Sequence, residues 1–476
     1  MRAQIISFIS LIALPICAFS NSLTASGPIV INGESDVVIS GLHISNPNGA
    51  CVMIGSGASN IIIKNSEIGP CDGNAVDIRS SNNITVQSNY IHDAVGEGVY
   101  LHNVELIEVT NNKIERVRTG VYASIGSQIK VSHNEFRNMQ GPMPRGQMVQ
   151  LAFVKGPGNS VTNNFGINEL GFSVPEDAIN MYKSKGVPGD PIMISNNLII
   201  GGGPSTSGGG ILLGDGGESS YQVAKDNILV NPGQYGVAIA GGHHHKLLNN
   251  LIYSKQFSFT NIGIYVWDQY DSACTNITVR GNSVNYTHRD GFKNAGWNGL
   301  NCGVIDGWSS DNNWNASIEE DVAEQHPGLI NTNIAVVSVT ASSFDSPLHT
   351  PQNTIDNDLT SRWSAEGNQW IRYDLGGVFI VSQLDIAFWL GNARSYAFDI
   401  ELSVDGTNWK QVFNGQSGGS TTGLESFDFT AALARFVRIN GRGNTASHWN
   451  NYLEVDIIAS TPAYYQEGLI FRNSFE

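Results

Sequence analysis

Short runs of alternating apolar and polar residues recur along residues 28–300 of this chain. Each run begins with a small residue, passes a polar turn into a second short apolar run, and ends at an asparagine, as in "GVYLHNVELIEVTNNKIERVRT" and "GVYASIGSQIKVSHNEFRNMQ". Alternation with a period of two indicates β-strands, and no segment shows the helical period. A repeat slightly above twenty residues long, and longer in its later copies, therefore predicts a solenoid of stacked β-coils.

Stacked coils place equivalent residues above one another, so the repeat predicts two ladders. The interior aliphatic ladder consists of Val99, Val121, Val149, Ile179, Ile211, Val237 and Ile264. The amide ladder consists of Asn89, Asn112, Asn134, Asn164, Asn197, Asn227, Asn250 and Asn282. We expect these asparagines at a tight turn, where asparagine tolerates a left-handed backbone. The pattern resembles the right-handed parallel β-helix and predicts an all-β domain over residues 21–320.

The composition narrows the class of ligand. Charged residues make up 14% of the chain and the net charge is −16, which argues against nucleic acid as a partner. An anionic polysaccharide would need a local cationic patch on such an acidic protein. We expect the chain to be a monomer.

The N-terminus predicts export. Residues 1–20 carry Arg2, then an apolar run, then small residues before the end, which is typical of a signal peptide cleaved near Ser20. No other segment is long and apolar enough to span a membrane, so a secreted or cell-surface protein is expected. An exported chain with four remaining cysteines allows two disulfides. The most local pairing is Cys51–Cys71 with Cys274–Cys302.

A second domain follows the repeats. "NTIDNDLTSRW", "NQWIRYDLGG", "IELSVDGTNWKQV", "ARFVRI" and "NYLEVDII" occur in this order and resemble the discoidin, or coagulation factor type C, β-sandwich that also serves as a carbohydrate-binding module. The resemblance covers residues 336–459. Residues 460–476 form a C-terminal tail to which we assign no mechanism. Three tryptophans are expected in the sandwich core: Trp363, Trp370 and Trp409.

Two sites in this domain follow from its sequence. Asp356, Ser361 and Glu454 resemble the calcium corner of such modules and offer the hard oxygen ligands that Ca²⁺ prefers. The alternative is a turn held by ordinary Asx hydrogen bonds. Aromatic rings beside polar groups on loop tips suit sugar stacking. The candidate sugar-binding residues of the module are Trp389, Arg394, His448 and Trp449.

Long insertions between about residues 140 and 235 mark one face of the predicted β-helix. Because the interior is filled with side chains, a ligand must bind on the outer surface, walled by such turns. If Ile179 and Met181 face in, then Asn180 and Tyr182 face out, and the chain must bend at Lys183.

Neighbouring coils place further candidates beside Tyr182. The expected substrate-binding residues are Gln150, Lys155, Asn180, His243, His244, Tyr265 and Trp267. His245 is expected on the same rim as the two preceding histidines. Small residues above Tyr182 on the next coils are expected to leave room beside its ring.

A tyrosine, a lysine pair and amides suit β-elimination on an acidic polysaccharide. That reaction requires the uronate carboxylate to be neutralised, a base to remove the proton from C5 and an acid to protonate the leaving oxygen. Tyrosine or lysine can move these protons when a neighbouring charge stabilises the reactive form, and each such group contributes roughly 10²–10⁴ in rate. The candidate catalytic residues are Tyr182, Lys183 and Lys185.

The same residues carry a family resemblance. "GQMVQLAFVKGPGNSV", "PEDAINMYKSKG", "GGGILLGDGG", "NPGQYGVAIAGG" and "GIYVW" resemble the β-helix alginate lyases of polysaccharide lyase family 31 and their relatives, over residues 70–310. The resemblance implies elimination on a uronate polymer without a catalytic metal or other cofactor. Tyr182 and Lys183 would carry protons, with Lys185 as the alternate lysine, and Asn180 and Gln150 would hold the carboxylate.

Other functions stay open. A β-helix glycoside hydrolase would use clustered aspartates, for which Asp177, Asp215 and Asp268 are available, although Asp177 is better explained as a cap of the turn before its strand. A C5 epimerase would use similar groups without cleavage. A non-catalytic adhesin would use the β-helix as a stalk and the second domain as its binder.

Overall fold

The computed structural model describes residues 23–271 and 273–463. The predicted signal peptide and most of the predicted tail lie outside these ranges. Strands are numbered along the chain. Within the described residues, no helix of the structure is both long enough and apolar enough to cross a membrane.

Residues 24–298 wind into parallel coils with three faces. Face one is a sheet of eleven parallel strands: β1 (Thr24–Ser26), β4 (Leu42–Asn46), β7 (Glu67–Cys71), β10 (Tyr90–Ala94), β12 (Lys113–Val117), β14 (Glu135–Arg137), β17 (Phe165–Ile167), β20 (Leu198–Ile200), β23 (Ile228–Val230), β26 (Leu251–Ser254) and β29 (Ser283–Tyr286).

Face two carries the candidate site. Its parallel strands are β2 (Ile29–Asn32), β5 (Val52–Gly55), β8 (Val76–Arg79), β11 (Val99–Thr110), β13 (Val121–Ser132), β15 (Val149–Val154), β18 (Ile179–Tyr182), β21 (Ile211–Leu213), β24 (Tyr235–Ile239), β27 (Ile262–Val266) and β30 (Gly296–Asn298).

Face three completes each coil. It consists of the second halves of β11 and β13 together with β3 (Val38–Ser40), β6 (Ser59–Lys64), β9 (Asn82–Gln87), β16 (Ser160–Thr162), β19 (Ile192–Ser195), β22 (Gln222–Lys225), β25 (Lys246–Leu248) and β28 (Thr278–Arg280).

Both predicted ladders are confirmed. The aliphatic residues from Val99 to Ile264 pair in register across face two and are buried. Each ladder asparagine donates its side-chain and backbone N–H groups to the amide oxygen of the next, as Asn89 does to Asn112 at 3.0 Å, and Asn312 extends the series. These amides satisfy backbone carbonyls inside the coil turns, so the ladder fixes the stacking.

The backbone of the amide ladder differs from the prediction. The left-handed residue is the one before each ladder asparagine, as at Asn111 (φ 55°) and His133 (φ 55°), and not the ladder residue itself. The preceding residue makes the turn, and the asparagine then follows with its side chain directed inward, where the next coil's amide meets it.

Both predicted disulfides are present. Cys51 bonds to Cys71, and Cys274 bonds to Cys302. Each joins parts of the chain that lie close along the sequence, so each closes a short loop of the β-helix domain.

The second domain is an antiparallel β-sandwich. Its strands are β31 (Leu329–Asn333), β32 (Ser338–Ala341), β33 (Trp363–Glu366), β34 (Gln369–Phe388), β35 (Tyr396–Ser403), β36 (Lys410–Gln416), β37 (Glu425–Asn444) and β38 (Trp449–Pro462), with 3₁₀ helices at Glu320–Gln325 and Pro351–Thr354. β31 pairs with the end of β38, so the ordered domain extends beyond the predicted bounds of 336 and 459 at both ends.

Only one of the three tryptophans expected in the sandwich core lies there. Trp363 is fully buried, and its indole N–H donates to Ser343 O at 2.8 Å. Trp370 and Trp409 are half-exposed, and the Arg438 guanidinium lies 4.0 Å from the centre of the Trp409 ring. The Trp409 ring therefore lies at the surface, where it makes a cation–π contact with Arg438.

The sandwich packs against face one. Phe165, Ile167, Leu198, Ile200 and Ile228 form a buried cluster that includes Val378, Ile380 and Ala431 of the sandwich. Two hydrogen bonds fix the contact: Arg137 Nη1 donates to Val378 O at 3.1 Å, and Val378 N donates to Glu169 Oε1 at 3.3 Å. Among the described residues, these contacts of the sandwich are all with face one and the loops beside it, so we call face two the open face.

Candidate functional site

Tyr182 and Lys183 form an adjacent pair at the end of β18. The backbone turns at Lys183 (φ 48°), as the sequence predicted, and its N–H donates to Asp215 O at 2.8 Å. This turn brings Lys183 Nζ to 5.8 Å from the centre of the Tyr182 ring, while Phe153 meets the ring edge-on at 5.4 Å. Both side chains of the pair are partly exposed. The arrangement places a phenol and an ammonium group together on the open face.

The space above Tyr182 is smaller than the sequence predicted. The loop after β21 folds back so that a Cβ added at Gly216 would lie 2.9 Å from Tyr182 Cε2 and 2.6 Å from Lys183 Cγ. Gly216 has a left-handed backbone (φ 77°) and no side chain, so it can lie against the pair. One side of the ring is therefore covered by backbone, and a ligand must approach from another side.

Gln150 and Asn180 lie beside this pair on consecutive coils. Their Cα atoms are register partners between β15 and β18, and both side chains are buried. Neither Gln150 Oε1 nor Asn180 Oδ1 has a hydrogen-bond partner among the described residues. A buried acceptor without a donor costs roughly 1–3 kcal/mol, so a donor group on a ligand would relieve it.

The nitrogen of the Asn180 amide is held by two carboxylates. Nδ2 donates to Asp177 Oδ2 at 2.7 Å and to Asp215 Oδ2 at 2.9 Å. Tyr235 donates its hydroxyl to Asp177 Oδ1, and Tyr270 donates to Asp215 Oδ1 at 2.5 Å. The orientation of Asn180 is therefore fixed by this network, with its oxygen as the group left for a ligand.

Burial dominates the electrostatics of this network. Removal from water raises the pKa of the Asp177 carboxyl to about 7, although hydrogen bonds from Tyr235 and Asn180 act in the opposite direction. Burial also raises the pKa of Tyr235 well above its usual value. Asp177 was predicted to cap the turn before its strand, but it also accepts hydrogen bonds from Asn180 and Tyr235 within the site. Its contact with Tyr235 joins residues separated by 58 positions, for which the sequence carries no local signal.

The open face carries a further cation, Arg145, which the sequence analysis did not predict. Arg145 lies outside the repeat, on the insertion before β15, and its guanidinium carbon is 4.2 Å from the centre of the Tyr122 ring. Tyr122 is the register partner of Gln150, so the charge lies one coil from the amides. Arg145 also lies 3.5 Å from Glu97 Oε1. The short segment "MPRG" gives no periodic signal that would have indicated this position.

Lys185 belongs to a different row of the open face. Successive coils bridge Lys155 to Lys185, Lys185 to Ser220, and Ser220 to His243. This row, which we call the basic rim, places Lys155 and Lys185 in line with His243, which lies two coils beyond Lys185. Burial, His244 and Lys185 together lower the pKa of His243. Lys183 therefore adjoins Tyr182, whereas Lys185 adjoins the histidines.

The histidines divide between the rim and the interior. His243 Nδ1 and His244 Nδ1 are 2.8 Å apart, and the Tyr221 ring stacks on His244 at 4.6 Å. His245, expected on the same rim, is instead fully buried and contacts Ser219 Oγ at 3.2 Å. Burial lowers its pKa to about 3, because the charged imidazolium would lose its hydration. Strand alternation at the start of β25 turns it inward.

Tyr265 and Trp267 lie three coils beyond Tyr182. Tyr265 is partly exposed, its ring meets Tyr235 edge-on at 5.2 Å, and its hydroxyl accepts a hydrogen bond from Gln269 at 3.1 Å. Trp267 is exposed and contacts the Trp297 ring at 5.9 Å. Trp297 lies on the last coil, one coil beyond Ile264 at the end of the predicted aliphatic ladder, and was not among the predicted site residues.

The sugar-binding candidates of the sandwich lie on two adjoining loops. Thr445 N donates to Ser395 O at 3.0 Å, which joins the loop of Trp389 and Arg394 to that of His448 and Trp449. Trp389 is half-exposed, and the Arg362 guanidinium carbon lies 4.5 Å from its ring centre. His448 is exposed. The four predicted residues therefore occupy one end of the domain.

The predicted calcium corner brings oxygen atoms together. Ser361 Oγ donates to Asp356 Oδ2 at 2.7 Å and lies 3.2 Å from the carbonyl oxygens of Asn353 and Asp358. Glu454 accepts the N–H of Asn357 at 2.9 Å, and burial raises its pKa to about 7. Hard oxygen donors around a buried carboxyl fit Ca²⁺. The described residues hold no cluster of three or more His, Cys, Asp or Glu side chains suited to a metal ion, so carbonyl and hydroxyl oxygens would have to contribute here.

Two family models match the chain. Residues 27–186 match the right handed beta helix region, and residues 338–455 match the F5/8 type C domain. The fold is therefore a right-handed parallel β-helix followed by a discoidin-like β-sandwich, as predicted. The chain has no match among curated protein sequences.

Several solved structures are similar to part of the chain. The CBM32 of AlyQ, in complex with 4,5-unsaturated mannuronic acid, is 42% identical over 26% of this chain and 97% of its own length (TM-score 0.26). Truncated AlyQ with CBM32 and alginate lyase domains is 41% identical over 28% of this chain, which spans only 34% of that protein (TM-score 0.27). A pectin binding carbohydrate binding module is 29% identical over 26% of this chain and 91% of its own length (TM-score 0.26).

These matches concern a stretch about as long as the sandwich. The F5/8 type C match at residues 338–455 falls within the same domain.

Proposed function

We propose that this chain, a right-handed β-helix joined to an F5/8 type C carbohydrate-binding module, is a secreted polysaccharide lyase. Its substrate is a uronate-containing polysaccharide, with alginate as the first choice, and the reaction is β-elimination. The observation that carries the proposal is the Tyr182–Lys183 pair beside two buried amide oxygens on the open face.

The amides supply the neutralisation that elimination requires. A uronate bound in its protonated form would donate its carboxyl hydrogen to Asn180 Oδ1 or Gln150 Oε1, the two acceptors without a protein partner. A neutral carboxyl group withdraws electrons more strongly than a carboxylate and so acidifies the proton on C5. Asn180 would serve as an acceptor because Asp177 and Asp215 hold its amide nitrogen. This differs from the donor role that the family resemblance implied for it.

Tyr182 and Lys183 would then move the protons. Tyr182, which lies beside the Lys183 ammonium, acts as the base that removes the C5 proton. The C4–O bond breaks as the C4–C5 double bond forms, and Lys183 protonates the departing oxygen. Lys185 and Lys155 of the basic rim would attract neighbouring uronates, since an acidic protein needs a local cationic surface for a polyanion.

The module supports the choice of alginate. A domain 42% identical to it over 97% of its length was solved with 4,5-unsaturated mannuronic acid, the type of sugar end that β-elimination of a polyuronate produces. We propose that Trp389, Arg394, His448 and Trp449 form the sugar site, and that Asp356, Ser361 and Glu454 hold a structural Ca²⁺. Bound calcium would join the loop of Asp356 and Ser361 to Glu454 on β38, and it has no part in the cleavage.

The test is product formation on a panel of polyuronates, beginning with alginate. We expect the ultraviolet absorbance of a 4,5-unsaturated uronate to rise with the parent protein and not with Tyr182→Phe. Tyr253→Phe, which removes a phenolic oxygen from face one, is the matched control and should keep full activity. Absence of a rise on every polymer, or normal turnover by Tyr182→Phe, would reject the proposal.

A glycoside hydrolase is the second candidate because Asp177 and Asp215 share the Asn180 amide nitrogen and so lie close together. Asp177 is buried and already accepts from Tyr235 and Gly209, which leaves it poorly placed to reach a glycosidic oxygen. New reducing ends without the unsaturated product would favour hydrolysis over elimination.

A further inference from the structure

The outward residues of face two change character beyond the Tyr182 coil. The register runs from Asn180 through Leu212 and Ala238 to Tyr265 and Trp297. Polar amides thus give way to apolar residues and then to aromatic rings. Strands of a sheet are spaced by about 4.8 Å, so the last two positions lie roughly 14 and 19 Å along the coil axis from Asn180.

Two tryptophans form an exposed platform at this end. Trp267 is 43% exposed, Trp297 is 48% exposed, and their ring centres are 5.9 Å apart at an angle of 68°. The sandwich packs on face one, so the second domain does not cover these rings. Large exposed aromatic rings on a groove are typical of sugar stacking rather than of a core.

The platform forms one wall of a cleft of about 430 Å³. None of the described residues that line it carries a charge; the polar lining is Thr206, Ser207, Gln234, Asn261, Gln269 and Asn294. Several of the amides are already oriented by the protein. Gln234 Nε2 donates to Thr206 O at 2.5 Å, and Asn294 Nδ2 donates to Asn261 O at 2.9 Å.

The chemistry of this lining favours an uncharged sugar. A pyranose ring presents apolar C–H groups to an aromatic face and hydroxyl groups to amides, both of which the cleft provides. A uronate carboxylate would lose hydration here without gaining a cationic partner, which is unfavourable. The basic rim, by contrast, provides Lys155 and Lys185 for carboxylates.

We propose that the cleft walled on one side by Trp267 and Trp297 is a subsite for an uncharged pyranose ring of the substrate. This inference rests on the proposed function for the uronate bound at Tyr182. It extends that function to a polysaccharide in which neutral sugars occur several units from the cleaved uronate. Such a mixed polymer would then be bound through one more sugar ring than alginate, which would still be cleaved with this cleft empty.

The test is a binding measurement that does not depend on cleavage. The full chain carrying Tyr182→Phe is titrated calorimetrically with neutral tetrasaccharides of β-1,4-linked glucose, mannose or galactose, and with tetramannuronate. We expect at least one neutral tetrasaccharide to bind. Trp297→Ala in this background should weaken that binding about tenfold, the size expected for loss of one stacked ring. Trp297→Phe, which keeps an aromatic face, should retain most of it.

Two comparisons isolate the cleft. The carbohydrate-binding module is unchanged in every variant, so a difference between Trp297→Ala and its parent belongs to the cleft. Lys185→Ala should weaken tetramannuronate binding and leave neutral binding unchanged. The proposal is overturned if no neutral tetrasaccharide binds, if Trp297→Ala leaves neutral binding unchanged, or if Trp297→Ala weakens tetramannuronate binding equally. The polyuronate cleavage assay tests the lyase proposal separately.

Discussion

Over the same coils, face one of the β-helix is covered by the sandwich, whereas face two is open. On face one, the outward residues Phe165, Leu198 and Ile228 are apolar and are buried against the sandwich. On face two, the neighbouring outward residues Asn180 and Tyr182 are polar, and the second domain does not cover them. The backbone is a repeated coil in both cases, so the outward side chains alone decide which face binds a domain and which face is left for a ligand.

The two faces also differ in how a buried carboxyl is compensated. On the open face, Asp177 and Tyr235 lie beneath the outward layer, and burial raises the pKa of each. On face one, charge is compensated locally: Glu135 pairs with Arg137, which also donates to the sandwich backbone. Perturbed groups without such ion pairs are a feature of functional sites.

The largest expected effect concerns the two lysines of the open face. We expect Lys183→Ala to reduce the initial cleavage rate roughly 10²–10⁴-fold, the range for loss of one proton-transfer group. Lys185→Ala should have a much smaller effect on the rate at saturating substrate and should mainly raise KM, because it belongs to the basic rim. The measurement is the rate of unsaturated product formation across substrate concentrations.

Lys225→Ala is the control for this pair, because Lys225 is an exposed face-three residue whose Nζ lies 3.2 Å from Asp226 Oδ2. It should change neither parameter. A larger loss of rate in Lys185→Ala than in Lys183→Ala would assign the proton transfer to the other lysine and contradict the geometry proposed for the pair.

The next largest effect is on stability and concerns face one, which the sandwich covers. Phe165→Ala removes a buried ring from the contact with the sandwich, and we expect a loss of roughly 3–5 kcal/mol in the free energy of unfolding. Phe153→Ala, on the open face, removes a ring that is 41% exposed and should change stability by less than about 1 kcal/mol. Urea unfolding followed by fluorescence compares the two. Equal losses would show that the faces do not differ in the way described.

The third effect concerns pH. Asp177 has a pKa of about 7 in the folded chain against an ordinary value of 3.8, so between these values the folded state binds more protons than the unfolded state. Its contribution to stability is complete below about pH 4 and is lost as the pH rises through 7, by roughly 4 kcal/mol at most. Asp177→Asn should remove this part of the pH dependence.

The difference between parent and Asp177→Asn isolates this carboxyl, since Glu454 and His245 also titrate differently on folding in both proteins. Urea midpoints at several pH values from 4.5 to 8 give the slope. Asp226→Asn, which changes a partly exposed carboxylate, should leave the slope unchanged. A slope identical in parent and Asp177→Asn would mean that Asp177 is not protonated in the folded chain near neutral pH.

The sequence carries the repeat but not the contacts between distant coils. The Val99–Ile264 ladder and the asparagine ladder were predictable because stacking gives each coil the same environment, and the same residue types recur there. The bend at Lys183 followed from alternation alone. Strand and ladder positions are therefore set by local pattern, which a single sequence displays.

The loops around the site follow a different logic. Gly216 and Arg145 lie on irregular segments between strands, next to Tyr182 and Tyr122 respectively. Tyr235, at the start of β24, bonds to Asp177 on the turn before β18. No period links such residues. Residue type alone also fails to predict burial in the sandwich. Trp370 and Trp409 were expected in the core, yet each is half-exposed and lies beside an arginine guanidinium. Pattern predicts which residues are apolar and leaves open which neighbour covers them.

The smallest expected effect lies in the sandwich, away from both faces. If Asp356, Ser361 and Glu454 hold Ca²⁺, the ion stabilises the folded domain by about 2.7 kcal/mol when its free concentration is 100 times the Kd. We expect added CaCl₂ to raise the unfolding midpoint of the parent and not that of Glu454→Gln, which keeps the shape of the side chain and removes its charge. Glu366→Gln alters an exposed carboxylate in the same domain and should respond to calcium as the parent does.

Because the ion would lie in the module, cleavage of short substrates by Glu454→Gln should continue at the parental rate. A parent whose midpoint is the same in CaCl₂ and in EGTA would show that these oxygens form an ordinary turn.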